Sequence, residues 1–165
     1  MSIEGFRVRV AGSADLAEVV ALERIVAEAP HWAEADYGAI VSVDRGLDSA
    51  VKRCLLVAEA DGRVLGFAVG KVIGWGEGSL AELESVAVQA AVRRGGVGRA
   101  LCQAVVDWSR DQGAEAVELE VRASSGGATA LYRGLGFVVV GRRAGYYREP
   151  FEDAVLMRLE LEKAE

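Results

Sequence analysis

Arg93-Arg94-Gly95-Gly96-Val97-Gly98-Arg99-Ala100-Leu101 stands between an apolar strand and a strongly amphipathic helix. A glycine-rich turn that opens a helix presents unpaired backbone N–H groups at the positive end of the helix dipole. Such a turn is an anion site, and a phosphate is its usual guest. Gly95, Gly96 and Gly98 let a ligand approach the backbone with no Cβ in the way. Arg93, Arg94 and Arg99 add fixed positive charge, and a guanidinium matches phosphate geometry. A P-loop is excluded, because no Gly-x-x-x-x-Gly-Lys-Ser/Thr run occurs. A dinucleotide fingerprint is excluded too, since Leu101 occupies the third small position after Gly96 and Gly98. The spacing that remains is Arg93-x-x-Gly96-x-Gly98.

Upstream of the turn, residues 6–10 alternate as a strand. Ser13 is placed to cap a helix running through Ala29, with Leu16, Val19, Val20, Leu22 and Ile25 as its apolar positions. Pro30 ends it. The segment from His31 to Leu47 is expected to hold a second, shorter helix. Apolar runs at 54–60 and 63–73 flank Asp61-Gly62, a hairpin turn signal. A loop at 74–78 leads to a strand over 80–88. Downstream, Val97, Leu101, Ala104, Val105 and Trp108 mark one helical face, and Gly113 stops that helix. Residues 116–122 alternate, with Val117, Leu119 and Val121 opposite Glu118, Glu120 and Arg122. Ser124 or Ser125 can cap a helix that ends at Gly134 or Gly136, and strands follow at 137–140 and 153–161. The order βααβββαβαββ predicts a mixed α/β fold with a largely antiparallel sheet.

With 165 residues, no repeat and no linker, the chain is expected to be one domain, residues 1–165. It carries no apolar run of transmembrane length and no secretory signal, which points away from a membrane and toward the cytoplasm. Net charge is −6, which argues against general nucleic-acid binding. Cys54 and Cys102 read as small buried hydrophobes, not as a disulfide or metal framework.

The Arg93-x-x-Gly96-x-Gly98 spacing resembles the acyl-CoA pyrophosphate loop of the GCN5-related N-acetyltransferases (GNAT), whose pattern is Gln/Arg-x-x-Gly-x-Gly/Ala. Residues 119–137, Leu-Glu-Val-Arg-Ala-Ser-Ser through Ala-Leu-Tyr to Leu-Gly-Phe, are similar to the signature of the RimI-like family. Arg142-Arg143-Ala144-Gly145-Tyr146-Tyr147 followed by Glu152-Asp153-Ala154 resembles that family's Arg-Arg-x-Tyr-Tyr and Glu-Asp-Ala run. Pro30-His31-Trp32 resembles a Pro-Trp-Ser element there. Members acetylate the N-terminal alanine of a ribosomal protein. The resemblance therefore implies acetyl-CoA as cofactor, no metal, and a protein N-terminus as acceptor, with a small-molecule amine as the alternative. It also implies a sheet splayed at an acyl-CoA cleft.

Acetyl transfer to an amine needs a neutral nucleophile, a stabilised oxyanion and a proton for the leaving thiolate. A peptide α-amine has a pKa near ~8, so a base helps. Glu120 resembles the family's base, with partial burial expected to raise its pKa. Tyr132 resembles the family's acid, which protonates the leaving sulfur and touches the cofactor. Leu131 and Leu135 supply the apolar contacts of that helix, so Tyr132 is expected to point elsewhere. Backbone groups of Val86, Ala87 and Val88 are implied for the thioester carbonyl and pantetheine arm. The pyrophosphate falls to Arg93, Arg94, Gly95, Gly96, Val97, Gly98 and Arg99. Ser125 stands where the family usually has the Asn that helps hold the cofactor arm. Trp32, Tyr37, Trp75, Tyr146 and Tyr147 are candidates for the acceptor groove, with Glu77, Glu82 and Glu84 as acidic residues beside it.

Overall fold

A computed structural model describes residues 5–25, 33–41, 51–74, 77–148 and 151–162. Strand β1 (Arg7–Val10) leads through a 3-10 turn, Ser13–Asp15, into helix α1 (Leu16–Ile25). Helix α2 (Glu34–Val41) and strands β2 (Val51–Ala60), β3 (Arg63–Ile73) and β4 (Leu80–Val88) follow. Then come α3 (Val97–Asp111), β5 (Ala116–Arg122), α4 (Gly126–Gly134), β6 (Val138–Arg148) and β7 (Phe151–Glu160). The predicted order of elements stands. Seven strands form one sheet in the order β1-β2-β3-β4-β5-β7-β6. Every neighbouring pair is antiparallel except β4 and β5, which run parallel. Asp61 and Gly62 both have positive φ, as the two-residue β2–β3 hairpin requires.

Two apolar layers hold the helices to the sheet. On one face, Val97, Leu101, Cys102 and Val105 of α3 pack on Val117, Leu119 and Val121 of β5 and on Leu83 of β4. On the other, Val19, Val20 and Leu22 of α1 and Tyr37 and Ile40 of α2 pack on Leu55, Val57, Phe67, Val69 and Ala87. Both cysteines are buried. Among the described residues, no helix is long and apolar enough to cross a membrane.

Four local expectations need correction. Ser13 does not cap α1: Gly12 is the N-cap residue of the 3-10 turn, and its N–H donates to Asp15 Oδ2 at 2.8 Å. Ile25 is 77% exposed, whereas Glu23 is fully buried. Residues 16, 19, 20 and 23 share one stripe at helical spacing, and position 25 lies on the opposite side. Strand β6 extends eight residues past Val140, to Arg148. It is an edge strand exposed along most of its length, with register shifts at Val139/Gly141 and Arg143/Tyr147, so it shows no alternation. Strand β7 starts at Phe151, two residues earlier than expected. The stretch of the α1 prediction beyond Ile25, together with Pro30, His31, Trp32 and Trp75, lies outside the described residues.

Candidate active site

Strand β4 has two unlike edges. Toward β3 it is paired from Leu80↔Ile73 to Val88↔Gly66. That ladder shifts once: Val69 faces Ser85 and Gly70 faces Leu83, which leaves Glu84 as an extra residue. A one-residue bulge reverses which face later side chains take. Leu83 before it packs on the α3 side, and so do Val86 and Val88 after it, while Ala87 joins the α1–α2 layer. Toward β5, β4 pairs only at Ala81↔Val117 and Glu82↔Glu118. Past that point the two strands separate. The opening is a cleft of about 720 Å³, bounded by Leu83–Val88 on one side and Glu120–Arg122 on the other.

The helix α3 N-terminus forms the floor. Gly96 is its N-cap residue, at φ +86, a conformation that side-chain-bearing residues adopt only at a cost. The first helical bond runs from Ala100 N–H to Gly96 C=O at 3.0 Å. The N–H groups of Val97, Gly98 and Arg99 precede that bond and carry the positive end of the helix dipole. Arg93, Arg94, Gly96, Gly98 and Arg99 all line the cleft. A Cβ at Gly98 would make only ordinary contacts, 3.5 Å from Val88 and 3.7 Å from Leu131. Internal packing therefore does not require glycine there, and the space it leaves faces the cleft. Gly95 has a different place: its N–H donates within the turn to Val92 C=O at 3.3 Å. The Val97 side chain is buried in the core, leaving its backbone N–H as the group it offers.

Glu120 and Tyr132 both border the cleft, from opposite faces of the sheet. Glu120 shares its face with Glu118 and Arg122, away from α3. Its side chain is 25% exposed and meets Arg143 Nη1 at 3.5 Å. Interaction with the same carboxylate chiefly raises the pKa of the Tyr146 hydroxyl. The cation partner was not legible in the sequence, because Arg143 stands on a different strand, β6. Tyr132 projects from α4 on the other face. It does not avoid the core as expected: its ring packs on that layer, with its centroid 6.0 Å from Phe137. Burial, then Cys102 and Tyr147, raise its pKa well above the usual phenol value, so the hydroxyl stays protonated throughout the neutral range.

Arg122 and Ser124 were not anticipated as lining residues, whereas Tyr147 and Ser125 were. Arg122 lies 4.2 Å above the Tyr147 ring, and Arg122, Ser124 and Tyr147 all border the cleft. Ser125 does too, at the N-cap position of α4, without a side-chain capping bond. Among the acidic candidates, Glu84 is held by Arg53 at 3.2 Å and Lys71 at 3.4 Å. Burial raises the pKa of Glu82, with Lys71 opposing and Glu84, Glu120 and Glu118 adding to the rise. Tyr37 is not a groove residue: it is fully buried, edge-on to Phe67 at 5.7 Å. The signal for the Arg143–Tyr147 cluster was present in the Arg-Arg…Tyr-Tyr run, but its contacts depend on the folded β6–β7 hairpin.

The cleft, the helix N-terminus and the arginines together fit an acyl-CoA. The Acetyltransferase (GNAT) family model matches residues 19–137. The chain belongs to the GNAT acetyltransferase family. A similar protein, the [ribosomal protein bS18]-alanine N-acetyltransferase of Salmonella typhimurium, is 37% identical over 102 residues, 61% of this chain and 66% of that one. Matches to curated relatives span from 21% to 66% of those relatives' lengths. The crystal structure of the ribosomal-protein-S18-alanine N-acetyltransferase from Escherichia coli superposes with a TM-score of 0.76 at 26% identity. That superposition covers 97% of this chain and 96% of the other. Arabidopsis thaliana NAA60, solved in complex with acetyl-CoA, shares the GNAT fold with a TM-score of 0.78 at 21% identity, covering 94% and 98% of the two chains.

Proposed function

We propose that this single-domain chain transfers an acetyl group from acetyl-CoA to the N-terminal α-amine of a protein, an alanine in first place. A ribosomal protein is the first candidate acceptor. The observation that carries the reading is the wedge between β4 and β5, with Glu120 on one face, Tyr132 on the other and the α3 N-terminus below. Similarity to the two ribosomal-protein-alanine acetyltransferases supports the acceptor class.

Val97, Gly98 and Arg99 N–H groups, with Arg93, Arg94 and Arg99 side chains, bind the pyrophosphate. Ser125 and the exposed backbone edge of Val86, Ala87 and Val88 hold the pantetheine arm by strand-like pairing. Bound acetyl-CoA supplies an activated acetyl thioester. The same β4 edge offers N–H donors where negative charge develops on the acetyl oxygen. Glu120 takes a proton from the acceptor ammonium, either directly or through one water. The Tyr132 hydroxyl, held neutral by burial, donates its proton to the departing sulfur. Tyr146 and Arg143 keep the Glu120 carboxylate at the acceptor-side mouth.

A thiol-release assay tests the reading. Acetyl-CoA is offered with a peptide bearing the host ribosomal protein's N-terminus, and with the same peptide N-terminally blocked. Turnover of the free peptide alone supports α-amine acetylation. Turnover of small amines only, with neither peptide acetylated, would replace the protein acceptor with a small-molecule one.

A further inference from the structure

Glu152 does not border the cleft, yet its carboxylate joins two elements that do. It is the second residue of β7 and pairs across the hairpin with Tyr147 of β6. Its Oε2 accepts from the backbone N–H of Ser124 at 3.1 Å. Its Oε1 accepts from the Ser124 hydroxyl at 3.0 Å and from Arg122 Nη1 at 3.2 Å. The Arg122 guanidinium thus lies between the Glu152 carboxylate and the face of the Tyr147 ring. Both ion-pair side chains are mostly shielded, at 16% and 17% exposure. Charged hydrogen bonds in such surroundings are stronger than neutral ones. Burial disfavours the ionised carboxyl, but the Ser124 hydroxyl and N–H and the Arg122 guanidinium outweigh it, so its pKa is lowered.

The β5–α4 turn needs this anchor. Helix α4 opens with Gly126-Gly127, two poor helix formers, and Ser125 gives no side-chain cap. The turn carries Ser124, Ser125, Gly126 and Gly127 along the cleft wall. We propose that Glu152 is a positioning residue for the cofactor: it clamps the β5–α4 turn to the β6–β7 hairpin and so fixes the wall against which acetyl-CoA lies. The inference rests on the acetyl-CoA reading above. A second consequence follows from the Tyr147 contact. Arg122 touches the hairpin that carries Tyr146 and the Glu120-bound Arg143, so the cofactor wall and the acceptor mouth share one rigid support.

Glu152→Ala and the isosteric Glu152→Gln are the test variants, with Asp107→Ala as a control that removes a carboxylate from an exposed pair on α3. Calorimetry with CoA, thermal unfolding without ligand, and steady-state KM and kcat are measured on each full-length protein. The expected result is a weakening of CoA binding by about tenfold in Glu152→Ala, the scale of a lost charged hydrogen bond. Glu152→Gln keeps an acceptor oxygen and lies between that variant and the parent. KM for acetyl-CoA rises more than kcat falls, and the control changes neither. If Glu152→Ala folds poorly, Ser124→Ala removes one end of the clamp and is expected to weaken CoA by about threefold. CoA affinity unchanged in both Glu152→Ala and Ser124→Ala, with only the melting temperature lowered, would overturn the proposal. Tighter CoA binding, from an Arg122 freed toward the anion, would overturn it as well. A parent protein that binds no CoA at all would instead sink the acetyl-CoA reading.

Discussion

The two edges of β4 obey the same backbone chemistry and reach opposite outcomes. Toward β3 the ladder is antiparallel and continues, with one bulge, to Val88. Toward β5 it is parallel and stops at Glu82. The closed edge buries Ala87 and presses Gly66 against it. The open edge leaves β4 past Glu82 without a partner strand, and the residues that alternate with Ala87 turn their backbone groups that way. Stability and function are thereby separated across a single strand: substitutions at the open edge are expected to change turnover, and substitutions at the closed edge to change folding.

The sharpest test lies at the open edge. Glu120→Gln is expected to lower kcat by about a thousandfold, within the range for loss of a general base, while CoA affinity and melting temperature stay near the parent's. Equal turnover would show that another group takes the amine proton. Tyr132→Phe keeps the packing on Phe137 and removes only the hydroxyl, so a loss of about a hundredfold in kcat is expected. A full-rate variant would place the leaving-group proton elsewhere.

At the closed edge, Gly66→Ala would put its Cβ 2.8 Å from the Ala87 carbonyl oxygen and 3.1 Å from Leu101. Backbone cannot yield as a side-chain tip can. Denaturant unfolding should show a loss of about 1–3 kcal/mol, the usual penalty of overpacking. If folding is unaffected but turnover collapses, the separation between the two edges fails.

The smallest effect is expected far from either edge. Asp15 accepts from Arg9 at 2.8 and 2.9 Å and from Gly12 N–H at 2.8 Å. The Arg9 bond lowers its pKa, against the opposing effect of burial. A lowered carboxyl pKa contributes stability that is complete above the unfolded value, near ~3.9, and is lost as pH falls through the lower folded value. Asp15→Asn is therefore expected to cost about 1 kcal/mol at neutral pH and little at pH 2, with turnover unchanged. A difference that persists undiminished in acid would rule out the ionised pair as its origin.

The sequence was most legible where local chemistry dominates. The order of elements, the Gly96 helix start, the Asp61-Gly62 hairpin and the alternation of β5 all follow from backbone preferences read residue by residue. Contacts of high sequence separation were not legible. Ile25 is exposed although it was expected among the apolar positions, because the stripe that α1 turns to the sheet runs through positions 16, 19, 20 and 23. The length of β6 was hidden because an exposed edge strand needs no alternation. The bulge at Glu84 left no trace in the pattern of β4, where every second residue is buried both before it and after it.

By itself, then, the sequence determined the elements, their order, the glycine–arginine anion turn and the presence of a carboxylate and a phenol on adjacent elements. Only the tertiary structure decided that β4 and β5 part after a single pair of rungs, that Glu120 meets Arg143 and Tyr146, and that Glu152 ties the β5–α4 turn to the hairpin. The physical reason is distance along the chain. Backbone preferences and periodicity act over a few residues, whereas the wedge and its supports join groups about 20 to 30 residues apart or more, whose meeting depends on how whole strands register.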